Sequence, residues 1–293
     1  MNDHVSRRQL GGLAAAALAG GIPASGAGSQ YHVFFGTYTR GKSKGIYVYR
    51  FDAGTGKLSQ GSLAAETANP SWVTIHHNQK YLYSVGEMGD FNGKKSGSLS
   101  AFSLDKSSGK LKLLNTVASE GTSPCHLSVD KTGKYLLCAN YGTGSTISVA
   151  IKPDGSLGAT ASFVEHKGSS VNPRRQQGPH AHSVNLPRDN RFAMVADLGL
   201  DQVLVYKFDQ ATGKLTPNSP PHAAVKPGGG PRHFAFHPTY KFAYVIHEMG
   251  SAVTAFSYDE KNGVLKPQQT LSTLPAGFSG ENNCAEVQVH PSG

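Results

Sequence analysis

Hydrophobic and polar residues follow one plan that repeats along the chain. A short segment built around a proline recurs four times: Asn69-Pro-Ser-Trp-Val-Thr-Ile-His, Ser123-Pro-Cys-His-Leu-Ser-Val-Asp, Gly178-Pro-His-Ala-His-Ser-Val-Asn and Gly230-Pro-Arg-His-Phe-Ala-Phe-His. Its prolines, Pro70, Pro124, Pro179 and Pro231, are 54, 55 and 52 residues apart. Each copy leads into an aromatic-aliphatic run, at Tyr81–Val85, Tyr135–Ala139, Phe192–Ala196 and Phe242–Ile246. Alternating apolar positions follow at Gly97–Leu104, Thr146–Ile151, Gln202–Phe208 and Ala252–Tyr258. A turn Asp-x-x-x-Gly-Lys-Leu closes the unit at Asp52–Leu58, Asp105–Leu111 and Asp209–Leu215, with weaker copies at Pro153–Leu157 and Asp259–Leu265.

Alternation with a period of two marks strands, and the apolar spacings of three and four that a helix needs are absent. Four strands in about 50 residues, with Gly, Asn, Asp and Pro between them, is the period of a β-propeller blade. The predicted fold class is all-β, a propeller of four-stranded blades. The first ordered segment, Tyr31–Tyr38, aligns with second strands and leads into a third at Gly45–Phe51, so the first blade is predicted to lack an innermost strand. The last segment, Cys284-Ala-Glu-Val-Gln-Val-His-Pro, aligns with innermost strands and stops at Gly293. Either it closes the ring on the first blade, giving five blades, or the chain is cut short.

Composition agrees with this reading. Among 293 residues, 35 are Gly and 16 Pro, too many turn formers for a helix bundle. The 13 Phe and 12 Tyr are too many for a disordered chain. The net charge of +9 comes from scattered single and paired basic residues. Diffuse positive charge suits anionic small molecules, whereas nucleic-acid binding requires a concentrated basic footprint and is not expected. Cys125, Cys138 and Cys284 make no disulfide framework. Cys125 and Cys138 could pair across one hairpin, but buried free thiols are the simpler expectation.

Residues 1–30 read as an export signal and residues 31–293 as the propeller domain. Ser6-Arg7-Arg8-Gln9-Leu10 precedes a small, apolar run from Gly11 to Ile22, and Pro23-Ala-Ser-Gly-Ala27 follows. A basic start, a short apolar stretch and small residues suit export and cleavage, and the arginine pair resembles a twin-arginine signal. The run is too short to span a bilayer, and no second hydrophobic segment follows. A periplasmic or secreted protein without an integral membrane segment is expected, with a cytoplasmic location as the alternative. A monomer is expected.

In a propeller the innermost strand lines the central channel, and the start of strand one shares a rim with the end of strand two. One residue after each module proline stand Ser71, Cys125, His180 and Arg232; two further on stand Val73, Leu127, His182 and Phe234. The second strands end at Gly86-Glu87, Asn140-Tyr141, Asp197-Leu198 and His247-Glu248. One mouth therefore collects His180, His182, Arg232, His233, Glu87, Asn140, Asp197 and Glu248. These slots vary from blade to blade while the scaffold repeats, which makes them candidates for a site. A rim histidine is commonly a solvated or capping residue, and Glu248 could simply pair with Arg232 or Lys241. His180 and His182 could both ligate a metal, but no third ligand is evident, and neither metal nor cofactor is expected. Gly228-Gly-Gly230 lacks the lysine and helix start of a phosphate loop and reads as a connector. Asn172-Pro-Arg-Arg175 lies in a long connection able to fold over the mouth, and reads as an ordinary exposed loop.

These motifs resemble the lactonase family of seven-bladed β-propellers, which includes bacterial 6-phosphogluconolactonases and is related to the carboxymuconate cyclases. The resemblance rests on Val33-Phe-Phe-Gly-Thr-Tyr-Thr39 with Gly45-Ile-Tyr-Val-Tyr49, Gly178-Pro-His-Ala-His182, Gly230-Pro-Arg-His-Phe-Ala-Phe-His-Pro238, Tyr244-Val-Ile-His-Glu248 and Cys284-Ala-Glu-Val-Gln-Val-His-Pro291. It implies a seven-bladed type of propeller with about five blades in this chain, truncated at the C-terminus before a further family arginine. It also implies a site of a histidine, an arginine and a glutamate at His182 (or His180), Arg232 and Glu248. The implied activity is hydrolysis of a sugar δ-lactone, 6-phosphogluconolactone first, with an anionic lactone as partner. His180, His233, Glu87, Asn140 and Asp197 are the expected substrate-binding residues. His182 and Glu248 are both candidates for general base, and Arg232 suits an anion or an oxyanion. A lactonizing carboxymuconate cyclase and a non-catalytic binding propeller are the alternatives.

Overall fold

A computed structural model of the protein describes residues 13–18 and 29–293. The described residues hold twenty-one strands and no helix, arranged as five antiparallel sheets. In the first sheet β1 (Leu13–Leu18), β2 (Gln30–Thr37) and β3 (Gly45–Asp52) run outward in order. Its outer place is shared by β4 (Lys57–Leu58) and β5 (Ser62–Glu66), both paired to β3. The second sheet is β6 (Val73–Ile75), β7 (Tyr81–Gly86), β8 (Ser98–Leu104) and β9 (Leu111–Ala118). The third is β10 (Pro124–Val129), β11 (Tyr135–Asn140), β12 (Ser145–Ile151) and β13 (Leu157–Glu165). The fourth is β14 (Ala181–Asn185), β15 (Phe192–Asp197), β16 (Gln202–Phe208) and β17 (Leu215–Ala224). The fifth is β18 (Pro231–Phe236), β19 (Phe242–His247), β20 (Ala252–Asp259) and β21 (Val264–Ser272).

Two expectations at the ends need correction. The first sheet does carry an inner strand, because β1 pairs antiparallel with β2, with Ala17 opposite Phe34 and Leu18 opposite Val33. The inner edge of β2 is a row of backbone donors and acceptors, and an extended apolar segment can satisfy it. The arginine pair and the cleavage-type residues of 1–28 lie outside the described residues. At the other end, Cys284–Pro291 joins no ladder, and no ladder links the fifth sheet to the first among the described residues. The segment lies along β18 instead: the Arg232 guanidinium donates to the Ala285 carbonyl, and His233 Nδ1 is 2.9 Å from Glu286 Oε2.

Burial explains the sequence pattern. The second strand of a sheet is covered on both faces by neighbouring sheets, so β15 is buried along its whole length and reads as an apolar run up to Asp197. The outer strand β17 is mostly exposed and reads as polar. The core is correspondingly a set of layers between sheets. Tyr83, Val85 and Leu99 meet Leu127, Leu136 and Ile147 between the second and third sheets, and Met194, Val203 and Val205 meet Phe234, Val245 and Phe256 between the fourth and fifth. Cys125 and Cys138 are free thiols.

The Asp-x-x-x-Gly-Lys-Leu turn has a second role in joining sheets. In Asp209–Leu215 the Asp209 carboxylate accepts the Ala211 N–H at 2.9 Å, and Gly213 takes a φ of +73°. Gly213 then lies under the Tyr135 ring of the preceding sheet, where a Cβ would come within 2.4 Å of a ring carbon. The glycine is needed both for the left-handed backbone and for the close approach.

Candidate active site

The site is built on irregularities in the inner strands. In β10 the ladder steps from Pro124 opposite Asn140 to His126 opposite Ala139, so Cys125 is an extra residue. In β14 it steps from Ala181 opposite Asp197 to Ser183 opposite Ala196, which makes His182 the extra residue. In β18 three steps from Pro231 to Phe234 oppose two from His247 to Val245, so the bulge takes in Arg232. A bulge of this kind bends the strand and re-aims a side chain. Here it puts Cys125, His182 and Arg232 in corresponding places in three successive sheets.

This register corrects the alignment on prolines. In the second, third and fifth sheets the carbonyl just before the proline accepts an N–H from the residue after strand two: Asn69 from Glu87 at 2.9 Å, Ser123 from Tyr141 at 2.9 Å and Gly230 from Glu248 at 2.8 Å. In the fourth sheet the corresponding acceptor is His180, which receives the Leu198 N–H at 2.9 Å. His180 is thus displaced outward by two residues, and His182 shares its place with Ser71, Cys125 and Arg232. The cause is local. The Asp197 carboxyl accepts the His180 N–H at 2.8 Å and holds the Pro179-His180 step beyond the end of β15.

Glu248 is the hub. Its Oε1 accepts from Arg175 Nη2 at 2.7 Å, and its Oε2 accepts from Arg232 Nε at 3.1 Å. His182 Nε2 stands 3.6 Å from the same Oε2. Arg175 Nη2 also donates to the Tyr141 hydroxyl at 3.1 Å. The Tyr141 ring stacks on His180 at 4.5 Å, and His180 Nδ1 lies 2.9 Å from the Tyr141 carbonyl. The structure therefore brings His180, His182, Arg232 and Glu248 together. It also corrects the reading of Asn172–Arg175 as an ordinary exposed loop, since Arg175 enters the site.

The other expected residues divide by depth. Glu87 accepts from Tyr38 Oη at 2.8 Å and from Ser71, forming an adjoining wall of the mouth. His233 is buried, faces Glu286, and contacts the rings of Trp72, His126 and His182 edge-on at 5.2, 5.4 and 5.3 Å. Asn140 and Asp197 are fully buried beneath the rim. Asn140 Nδ2 donates to Ser119 O at 3.0 Å and Ser145 Oγ at 3.1 Å. Asp197 accepts from the N–H groups of His180 and Gly199 and lies 2.6 Å from His166 Nδ1. These two side chains hold the rim in place and do not present themselves to a ligand, because their polar atoms are already occupied within the fold. Tyr141, Glu286, Trp72 and His126 were not among the sequence candidates. Only the position of Tyr141 at the end of a second strand pointed to the rim.

Burial favours the neutral form of His182, His126 and His233. Burial, with Arg232 and His233 nearby, holds His182 well below the usual histidine range. Burial, with His233 and Arg232, does the same for His126. Burial likewise lowers His233, although Glu286 opposes it. The Cys125 thiol is pushed up by burial and by Glu87, with Arg232 opposing, so it is no thiolate nucleophile. Arg175 is held more firmly protonated by its hydrogen bonds to Glu248 and Tyr141. The mouth thus offers two guanidinium groups, one carboxylate shared between them, and a neutral imidazole beside it. No group of three or more His, Cys, Asp and Glu suited to a metal ion occurs among the described residues.

A propeller whose bulged inner strands converge polar groups at one channel mouth defines the class: a scaffold for binding or transforming a small polar molecule. The family model of the seven-bladed β-propeller lactonases matches residues 32–293, and the chain belongs to that family. The 6-phosphogluconolactonase of Bacillus subtilis is 36% identical over 265 residues, covering 90% of this chain and 73% of that protein. The 6-phosphogluconolactonase of Formosa agariphila is 33% identical over 236 residues, covering 80% of this chain and 65% of that protein. Among solved structures, the periplasmic gluconolactonase of Pseudomonas aeruginosa superposes with a TM-score of 0.84 at 35% identity, covering 90% of this chain and 74% of its own.

Proposed function

We propose that this protein hydrolyses a sugar δ-lactone, with 6-phosphoglucono-δ-lactone as the first substrate to test. The observation that carries the reading is the convergence of a neutral imidazole, a carboxylate and a guanidinium within 3.6 Å contacts at the channel mouth. Family membership and the activities named for its relatives agree with it.

Ester opening needs an activated water and a group that receives the developing oxyanion. Both Glu248 oxygens already accept hydrogen bonds from guanidinium groups, so neither is free to face a water. His182 is the better candidate because its imidazole is neutral near pH 7. In the proposed step water oxygen bonds to the lactone carbonyl carbon while His182 Nε2 takes a proton. Glu248 Oε2, 3.6 Å away, offsets the imidazolium charge. Arg232 receives the negative charge on the carbonyl oxygen. The ring C–O bond then breaks, and the leaving ring oxygen takes the proton back from His182. The product is the open-chain acid, which ionises in solution.

The test follows lactone loss above the spontaneous background. His182→Gln, Arg232→Ala and Glu248→Gln are expected to lose at least about 100-fold in kcat/KM, the scale of removing an oxyanion donor or a positioned base. Wild-type rates in all three variants would refute the reading. The export-type pattern of residues 1–30 and the periplasmic setting named for the Pseudomonas relative support a periplasmic location, although cleavage after that segment would remove β1 from the first sheet. Cell fractionation tests it, and recovery with cytoplasmic markers alone would refute it.

A further inference from the structure

We infer that Arg175 is a specificity-determining residue whose guanidinium takes an anionic group on the lactone, while Arg232, on the other side of Glu248, serves the carbonyl. The inference rests on the lactonase reading above and names the class of lactone. Arg175 lies on the connection between the third and fourth sheets, Arg232 on the inner strand of the fifth, and Glu248 bridges them. Each guanidinium gives Glu248 one nitrogen, Nη2 of Arg175 at 2.7 Å and Nε of Arg232 at 3.1 Å. Arg175 makes one further contact, to Tyr141 through the same Nη2, so its Nε and Nη1 carry no protein partner. Its side chain is 39% exposed, against 23% for Arg232. Glu248 thus holds Arg175 without using up its donors, whereas Arg232 also gives Nη1 to the Ala285 carbonyl. The pair with Glu248 carries one net positive charge, and planar donors of this kind suit phosphate or carboxylate.

The connection is built to hold Arg175 in place. Asn172 Oδ1 accepts the N–H groups of Arg174 and Arg175 at 2.9 and 3.1 Å. Gln176 is fully buried; its Nε2 donates to Leu198 O at 2.9 Å, and its Oε1 accepts the Asn172 N–H at 3.0 Å. Asp201 ties the two arginine-bearing segments to each other. It accepts from Ser170 Oγ at 2.6 Å on the Arg175 side, and from the N–H groups of Gly228 and Gly230, both at 2.7 Å, just before Arg232. Pre-organised donors lose little conformational freedom when an anion arrives, which is the condition for a selective site.

The experiment compares 6-phosphoglucono-δ-lactone with uncharged glucono-δ-lactone in wild type, Arg175→Ala and Arg175→Lys. The ratio of kcat/KM, phosphorylated over uncharged, is expected to fall about 10- to 100-fold in Arg175→Ala, the scale of one lost charge-assisted hydrogen-bonding group. Arg175→Lys is expected to fall between, since it keeps the charge and loses the planar fork. A ratio within twofold of wild type in Arg175→Ala would overturn the inference and make Arg175 only a support for Glu248. Thermal shift with inorganic phosphate reads binding without turnover. Phosphate is expected to raise the melting temperature of the wild type and to leave Arg175→Ala unmoved, whereas an equal rise in both overturns the inference. A phosphate shift confined to wild type, in a protein that hydrolyses neither lactone, would leave the Arg175 anion site standing and refute the lactonase reading instead.

Discussion

Asp197 offers the sharpest test of how the rim is held. Its buried carboxyl serves four donors: His166 Nδ1 at 2.6 Å and the backbone N–H groups of His180, Gly199 and Leu200 at 2.8, 3.0 and 3.2 Å. Asp197→Ala removes all four acceptor contacts in a place water does not reach. An orphaned buried donor costs about 1–3 kcal/mol, and the small cavity lets some relax, so a loss of about 3–6 kcal/mol is expected. That is a large part of the roughly 5–15 kcal/mol that stabilises a domain. Asp197→Asn should behave differently. An asparagine keeps one oxygen for the three backbone donors and can donate its amide to a His166 tautomer whose Nε2–H faces the Thr146 hydroxyl, 3.1 Å away. Its cost should be about 1–2 kcal/mol. Urea denaturation followed by Trp72 fluorescence measures both, as shifts of the midpoint multiplied by the slope. An Asp197→Ala variant within about 1 kcal/mol of wild type, or equal losses in both variants, would refute the hydrogen-bond account. An unchanged midpoint with a strongly raised KM in Asp197→Asn would instead return Asp197 to the ligand.

Further predictions concern the scaffold and its titration. Gly213→Ala forces a left-handed residue and a Cβ at 2.4 Å from Tyr135, so it should destabilise by about 1–3 kcal/mol in denaturation; a neutral result would show that the third and fourth sheets do not meet through this turn. His126 and His182 stay neutral in the fold far below the pH at which an unfolded histidine protonates. The unfolded chain therefore binds more protons below about pH 6.5, and stability falls as pH falls from there, by about 1 kcal/mol per histidine at pH 5.5. Stability that rises between pH 6.5 and 5.5, or a His126→Gln, His182→Gln double variant with the wild-type slope, would contradict this. With His182 as base, the acid limb of kcat/KM should lie below the ordinary histidine pKa, because the lowered value keeps the imidazole unprotonated to more acid pH; an acid limb at or above pH 6.5 would exclude it.

The repeat, the strand count in each unit and the gradient from buried second strands to exposed outer ones were legible because each follows from local periodicity and two-sided covering. The convergence of His182, Arg232 and Glu248 was legible for the same reason, since a regular repeat returns the same slot to the same rim. Where the repeat is broken, the reading failed. Aligning on Pro179 placed His180 in the slot that His182 occupies, because a bulge and a side-chain cap on the His180 N–H shift the fourth copy by two residues. Asn140 and Asp197 stand at the rim in sequence but beneath it in space, since their side chains satisfy backbone donors and acceptors that no pattern exposes.

The sequence by itself determined the architecture: which segments are strands, where the turns fall, and that variable polar residues gather at one mouth. Only the tertiary structure decided which of those residues meet. Arg175 is distant from Glu248 in the chain, and the connection that carries it has no periodicity. Its place depends on Gln176 meeting Leu198 and on Ser170 meeting Asp201, contacts across sheets that local pattern does not encode. The physical reason is one of range. Strand periodicity is set by neighbours two residues apart, whereas the distances between groups at the rim are set by packing between blades about 50 residues apart.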